Sequence, residues 1–395
     1  MLRILLLSFY YPPDLSAGAF RASALVDALL RVGHGQVQID VITAMPNRYA
    51  SFEQRASACE QHDTASIYRV TVPKHQSGML DQTIAFYYFF RGVRRLVRGK
   101  HYDVIVATSS RLFTAWLGAR TKRDCGGKLV LDIRDIFTES IRDVLGPGRA
   151  TWLVPILKVL ERHILKAADA INVVSPGFVD YMHQHYRDVP LSLVTNGVDN
   201  EFANFRSASD GAGTNRDKVV LYAGNIGAGQ ALHKILPDAA AALVGDVRFI
   251  TVGDGGRRRD LEKEIDVRGL QNIELHDPVD RGELIKLYAQ ASALLVHVDG
   301  LPAFDRVLPS KIFEYAATGK PIIAGVGSAA EKFLRLHVPG TYFFQRGQSS
   351  SLVQAIRDMN WSTVNRADFV AQFSRRRVMD EFASQMLQLG QQSVA

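Results

Sequence analysis

The stretch Asp305-Arg306-Val307-Leu308-Pro309-Ser310-Lys311-Ile312-Phe313-Glu314-Tyr315-Ala316-Ala317-Thr318-Gly319-Lys320-Pro321-Ile322-Ile323 holds one complete step of an α/β fold. Pro309 and Ser310 mark a helix start, Gly319 its end, and Pro321 the opening of a strand. Lys311 falls in the first helical turn, where the helix dipole opposes a cation unless an anion is bound beside it. Glu314 follows on the same face, suited to accept hydrogen bonds from a diol. A surface ion pair between Lys311 and Glu314 is the competing reading, and spacing alone favours it.

The same strand and helix alternation extends outward in both directions. Upstream, apolar runs at Lys218 to Gly224, Val247 to Val252, Asn272 to Leu275 and Ala293 to His297 read as strands, and Pro321 to Ala324 continues the series. The first half repeats the pattern with candidate strands Arg3 to Ser8, Ile39 to Thr43, Val104 to Thr108, Lys128 to Ile133, Ala170 to Val174 and Leu191 to Val194. Phe20 to Val32 and Trp152 to Ala168 show helical spacing between them. Near-continuous apolar strands alternating with helices predict parallel sheets covered on both faces. A polar, Gly-rich stretch from Arg206 to Arg216 reads as a linker between two doubly wound domains. The expected division is 1–200, then 201–373, with a last helix over 374–395 returning to the first domain. In such sheets ligands bind beyond the carboxyl ends of the strands, so the site is expected where the two domains face each other across a cleft.

Composition agrees with a soluble globular enzyme. The chain has 395 residues, 47% hydrophobic and 22% charged, enough for two cores. Cys59 and Cys125 are too few for a disulfide scaffold or a thiolate metal site, which suits a reducing cytoplasm. Leu2 to Leu7 is too short for a signal-peptide core and reads as the first strand. No run approaches the roughly 20 apolar residues that span a bilayer. The net charge of +7 favours anionic partners. Without a zinc-finger, basic-zipper or RNA-recognition signature, nucleic acid is not expected among them.

Several post-strand loops are candidate ligand sites. Pro12-Pro13-Asp14-Leu15-Ser16-Ala17-Gly18 precedes the first helix, where backbone N–H groups favour an anion, although a plain Pro/Gly turn reads equally well. Tyr222-Ala223-Gly224-Asn225-Ile226-Gly227 holds the equivalent place in the second half, and Gly253-Asp254-Gly255-Gly256 follows the next strand. Neither is a Gly-x-Gly-x-x-Gly dinucleotide fingerprint. Tight strand-to-helix turns alone would explain these glycines. Arg134 and Asp135 end a buried strand, either as an ion pair supporting their loop or as cleft residues. His34 and His297 read as structural.

Taken together, Tyr10-Tyr11-Pro12-Pro13 with Gly18, Leu131-Asp132-Ile133-Arg134-Asp135, Asn196-Gly197-Val198-Asp199, Tyr222 to Gly227, Val252 to Gly255 and Pro309 to Tyr315 resemble the retaining glycosyltransferases of family GT4. The likeness covers nearly the whole chain and points to the branch acting in bacterial O-antigen and capsule assembly. It implies the GT-B fold, an acceptor domain first and a nucleotide-sugar donor domain second. It implies donor contacts at Gly18, Gly224, Asn225, Gly253, Asp254, Arg306, Ser310, Lys311 and Glu314, with Gly18 on the diphosphate and Glu314 on the ribose. Arg134, Asp135 and Lys311 would serve catalysis, while Ser109, Ser110 and Arg111 would meet the acceptor. The sequence departs from the family at Arg306, where a second Glu is usual, and at Asn225 and Gln230, where Arg and Lys are usual. Relocation of the positive charge to Lys311 and Arg306 accounts for this; loss of catalysis with retention of the fold is the alternative.

By the same resemblance, the donor is a UDP-sugar, the acceptor a lipid-linked glycan, and transfer retains the anomeric configuration. No cofactor is implied, and the lack of an Asp-x-Asp predicts metal independence. The segment 84–100 joins Phe86, Tyr87, Tyr88, Phe89 and Phe90 to Arg91, Arg94, Arg95, Arg98 and Lys100. It reads either as a helix packed on the first sheet or as one resting on the anionic inner face of the bacterial inner membrane. A nucleotide-sugar binder without activity and a sugar-nucleotide epimerase of the same architecture stand as alternative functions.

Overall fold

A computed structural model describes residues 1–46, 56–73, 79–109, 112–203, 205 and 218–392. The expected linker, 206–216, lies outside them. The chain divides into two compact units, Met1–Asn196 with Arg375–Ala395, and Gly197–Ser374.

In the first unit the elements are β1 (Leu2–Ser8), α1 (Ala17–Val32), β2 (Val37–Ala44), β3 (Cys59–Gln61), β4 (Ala65–Val70), α2 (Met79–Val97) and β5 (Val104–Ser109). They continue as α3 (Leu112–Cys125), β6 (Lys128–Ile133), α4 (Phe137–Lys166), β7 (Ala170–Val173), α5 (Pro176–His185) and β8 (Leu191–Leu193). The sheet order is β3-β4-β2-β1-β5-β6-β7-β8, parallel except for the β3–β4 hairpin. The chain winds one way from β1 to β2 and the other way to β5, so the switch point lies between β1 and β5. Ile4, Leu5, Leu6 and Leu7 are all fully buried, as a strand covered on both faces requires.

The second unit runs through α6 (Asn200–Ala203), β9 (Lys218–Ala223), α7 (Leu232–Ala242), β10 (Val247–Val252), α8 (Arg258–Arg268), β11 (Ile273–His276) and α9 (Arg281–Gln290). After β12 (Ala293–His297) come a 3-10 turn (Pro302–Arg306), α10 (Lys311–Ala317), β13 (Ile322–Gly325), α11 (Ser328–His337), β14 (Thr341–Phe343), α12 (Ser349–Asp358) and α13 (Ala367–Gln372). Its sheet is parallel in the order β11-β10-β9-β12-β13-β14, with the switch point between β9 and β12. Alternate residues of β9 serve two cores: Val219, Leu221 and Ala223 join one cluster, while Val220 and Tyr222 join the other.

The last helix, α14 (Arg375–Gln391), belongs to the first unit. Met379, Phe382 and Met386 enter the core built around β1, and Gly390 lies so close that a Cβ there would sit 2.8 Å from Leu2 and Val104. Arg31 of α1 bonds Asp380 through Nε at 3.0 Å. Among the described residues no helix is long and apolar enough to cross a membrane.

Four elements differ from the sequence expectation. The β3–β4 hairpin and β14 are additional strands, and α4 begins at Phe137 and not near Trp152, running through Gly146-Pro147-Gly148. Helix propensity is a weak prior and does not set that boundary.

The centre of the first sheet is held by a buried charge pair that links four elements. Arg21 of α1 donates from Nε and Nη2 to the two carboxylate oxygens of Asp132 on β6, at 2.8 and 2.9 Å. Thr108 on β5 and Asn172 on β7 donate to the same carboxylate at 3.0 and 2.7 Å. The spare guanidinium hydrogens reach the carbonyls of Val194 and Thr195. Burial by itself would raise the Asp132 carboxyl, but Arg21 and Asn172 outweigh it and hold it below 3.8. Arg21→Met leaves this carboxylate enclosed without its cation, and urea unfolding at pH 7 is expected to show a loss of roughly 3–5 kcal/mol. Since the folded-state value is depressed, the wild-type advantage persists at neutral pH and disappears only as the pH falls below 3.8 toward that value.

Candidate active site

At the switch point of the first unit, the loop after β1 delivers Gly18 into the first turn of α1. Ser16 caps that helix, accepting from the N–H of Ala19 at 3.1 Å. The guanidinium of Arg134, from the loop after β6, lies directly on Gly18: a Cβ there would come within 2.2 Å of Nη1. Glycine at 18 therefore brings helix backbone and a cation together, as anion binding requires. Asp135 lines a small cavity with Ile133, Phe137, Glu161 and Tyr181. Ser109 ends β5, while Ser110 and Arg111 lie outside the described residues.

In the second unit the loops after β9 and β10 cross each other. Gly224 N–H donates to Val252 O at 2.9 Å, and Ile226 N–H to Asp254 O at 2.9 Å. Gly224 and Gly253 have φ of 134° and 141°, and a Cβ on Gly253 would lie 1.9 Å from the Gly224 carbonyl, so only glycine permits the crossing. Asn225 donates to Gln230 at 2.7 Å, and Asp254 accepts from the N–H of Gly255 at 2.7 Å. His297 locks the loop from beneath. Its Nε2 accepts from Gly347 N–H at 3.0 Å, leaving Nδ1–H to donate to Gln230 O at 2.7 Å. Burial drives its pKa down to about 4, so it is neutral and structural.

Lys311, next to Ser310 at the head of α10, turns its ammonium into this crossing. Nζ sits 3.6 Å from the centroid of the Tyr222 ring and would lie 2.9 Å from a Cβ on Gly224. It is enclosed and makes no hydrogen bond among the described residues. Burial pushes its pKa down to about 7, against the pull of Glu314. A cation held on an aromatic face without a counterion is a receptor for an anion.

Glu314 has partners that linear spacing did not reveal. Its Oε1 accepts from Arg281 at 3.2 Å and its Oε2 from Tyr288 at 3.3 Å. Arg281 also pairs with Asp199, lies 3.9 Å from Glu201 and stacks 4.8 Å above the Phe202 ring. The competing Lys311–Glu314 ion pair is thus not formed; the carboxylate pairs with α9 and the ammonium faces Tyr222 and Gly224. Arg306 ends the 3-10 turn, half-buried, beside Asp305, which pairs with Arg346.

Structure therefore gathers Gly224, Gly253 and Lys311 closely, with Asn225 and Asp254 on the same loops and Ser310 and Glu314 at the start of α10. Gly18 and Arg134 meet in the other unit. Arg281 and Tyr288 escaped the sequence reading, and Tyr222 entered it only within its loop motif, without its contact to Lys311. The Asp280-Arg281 start of α9 is an ordinary helix opening in sequence, and the one local signal was an Asp cap accepting from Glu283 N–H. The helix α2 buries Phe86, Phe89 and Val93, but leaves Ile84, Tyr87 and Tyr88 exposed beside Arg91, Arg94 and Arg95.

Comparison with known proteins yields two adjoining family matches. The family described as "Glycosyl transferase 4-like domain" matches residues 17–197, and "Glycosyl transferases group 1" matches residues 217–360. The Escherichia coli (strain K12) protein WcaI, named as a glycosyl transferase of colanic acid biosynthesis, is 24% identical over 354 residues, covering 80% of this chain and 82% of that one. Among solved structures, sucrose-phosphate synthase from Thermosynechococcus elongatus superposes with a TM-score of 0.71 at 18% identity, covering 100% of this chain and 99% of the other. Anabaena HepE, solved with UDP and glucose, gives 0.62 at 17% identity over 100% and 98%.

The enclosed ammonium has a measurable signature. Its folded pKa, about 7, lies below the ordinary 10.5, so between these values the unfolded chain binds more protons and stability rises with pH. Urea titrations at pH 7 and pH 9 are expected to show this rise in the wild type and its loss in Lys311→Met.

Proposed function

We propose, for a chain that belongs to the GT4-type glycosyltransferases of GT-B fold, that it moves a sugar from a nucleoside diphosphate, by preference UDP, onto a lipid-linked or oligosaccharide acceptor during assembly of a bacterial surface polysaccharide. The observation that carries this reading is the Lys311 ammonium, buried at the crossing of two glycine loops and one turn from Glu314. A nucleoside diphosphate matches that chemistry, with two phosphates for the cation and backbone N–H groups, and a ribose diol for the carboxylate. HepE, solved with UDP and glucose, supports UDP as carrier, and the naming of WcaI for colanic acid supports a surface glycan as product.

On this reading the second unit holds the donor through Gly224, Asn225, Gly253, Asp254, Ser310, Lys311 and Glu314, with Arg306 as a further cation. The first unit serves the acceptor, and within it Gly18 and Arg134 bring helix backbone and positive charge together. The bond from the anomeric carbon to the diphosphate oxygen breaks while the bond to the acceptor oxygen forms on the same face. The acceptor proton passes to the departing phosphate, and fixed cations stabilise its charge. No paired carboxylates of the glycosidase kind are needed. The lack of an Asp-x-Asp supports a reaction independent of metal.

A thermal-shift series tests the donor. UDP at about 100 times its Kd is expected to add about 2.7 kcal/mol of stability, undiminished by EDTA and lost in Lys311→Met. Stabilisation by NAD in place of nucleoside diphosphates would overturn the reading.

The exposed aromatic and basic face of α2 suits an anionic membrane that presents a lipid-linked acceptor. Replacing Arg91, Arg94 and Arg95 by Glu is expected to abolish cosedimentation with vesicles rich in anionic phospholipid, while leaving the protein folded. Equal sedimentation of both proteins would remove the membrane from this account.

A further inference from the structure

We propose that Tyr315 is the positioning residue that seats the Lys311 ammonium in the crossing of the glycine loops. The proposal rests on the reading of Lys311 as the cation that meets the donor diphosphate, and extends it to the group that fixes where this cation stands.

The end of β9 has different neighbours on its two edges. Toward β10 it is paired through Ala223, and the Gly224 N–H continues to Val252 O at 2.9 Å. Toward β12 the register stops at Val220 and Leu221. Backbone groups of successive residues point to opposite edges of a strand, so the Ala223 N–H turns to the side that β12 has left. There it donates to Tyr315 Oη at 3.0 Å, and the Ala223 carbonyl oxygen lies 3.5 Å from the same hydroxyl. A side chain of α10 thus stands in for a strand. Tyr315 is fully buried, its ring set edge-on 5.6 Å from that of Tyr288, and burial raises its pKa, so the phenol keeps its proton.

Lys311 precedes Tyr315 by four residues, so both side chains leave the same face of α10. They meet adjacent residues of one loop: the phenol at Ala223, and the ammonium at Gly224, where a Cβ would lie 2.9 Å from Nζ. An enclosed ammonium without a hydrogen bond gains by turning back to water, and its flexible stem allows that movement. Glu314, the nearby acid, is bonded to Arg281. The Tyr315–Ala223 bond opposes the withdrawal by holding α10 against β9, since breaking it leaves a buried N–H without an acceptor.

Urea titrations at pH 7 and pH 9 compare the wild type, Tyr315→Phe and Lys311→Met, and calorimetry measures the affinity of each full chain for UDP. With its ammonium enclosed, the wild type should gain stability from pH 7 to pH 9. Tyr315→Phe keeps the ring but frees the ammonium to reach water, so most of that gain should vanish and UDP should bind about 10-fold more weakly. A merely structural phenol would lower stability equally at both pH values, so an intact gain in Tyr315→Phe overturns the proposal. The absence of any gain in the wild type does the same, as does a Tyr315→Phe chain that binds UDP as tightly as the wild type. A wild type that binds no UDP, or a Lys311→Met chain that binds it equally well, brings down the donor reading, while the pH comparison still decides whether Tyr315 seats Lys311. Should Tyr315→Phe not fold, amide exchange in the wild type and in Lys311→Met decides. Removing the buried charge should slow exchange at Ala223 relative to Val220, and an unchanged ratio overturns the proposal.

Discussion

The second unit is organised around an ammonium that burial has separated from water without giving it an anion. Lys311 reaches the Tyr222 ring because Gly224 has no side chain to exclude it, and Gly224 can take its conformation because Gly253 leaves room for its carbonyl. Three loops from three strands thus depend on one another at a single point. Enclosing a cation in this way is costly, and the cost is offset when a ligand supplies negative charge. The enclosed cation thereby prepares the site for an anion.

The first unit meets a related demand differently. Its buried cation, Arg21, is fully matched by Asp132 and by carbonyls at the ends of neighbouring strands, so it stabilises the sheet and is not left for a ligand. Arg134, which also acts electrostatically on Asp132, lies at the surface of that network with its guanidinium against Gly18. A satisfied charge in one unit builds the platform, and an unsatisfied one in the other offers a binding site.

The departures at Asn225, Gln230 and Arg306 acquire a physical meaning in this setting. Asn225 and Gln230 bond each other and, through His297, hold the glycine loop rigid where charged residues are usual in the family. Positive charge comes instead from Lys311, which approaches from α10. Glu314, the acidic residue that remains, is kept apart from Lys311 by Arg281. The two groups therefore keep separate surroundings on one helix, the carboxylate toward Arg281 and the ammonium toward Tyr222.

The parallel strands, the helices between them and the glycines that punctuate the loops were legible from local pattern, because covered strands must be apolar throughout and crossing loops must lack side chains. The three-residue β3 and β14 were not, since brief strands at a sheet edge carry little periodic signal, and β4 escaped as well although it lies inside the sheet beside β2. Within the site, sequence by itself determined that Lys311 and Glu314 share a helix one turn apart. Only the tertiary structure decided that they would not pair: Tyr222, Arg281 and Tyr288 arrive from strands and helices remote in the chain, and the bonds of a charged side chain depend on distance in space, which linear spacing does not contain.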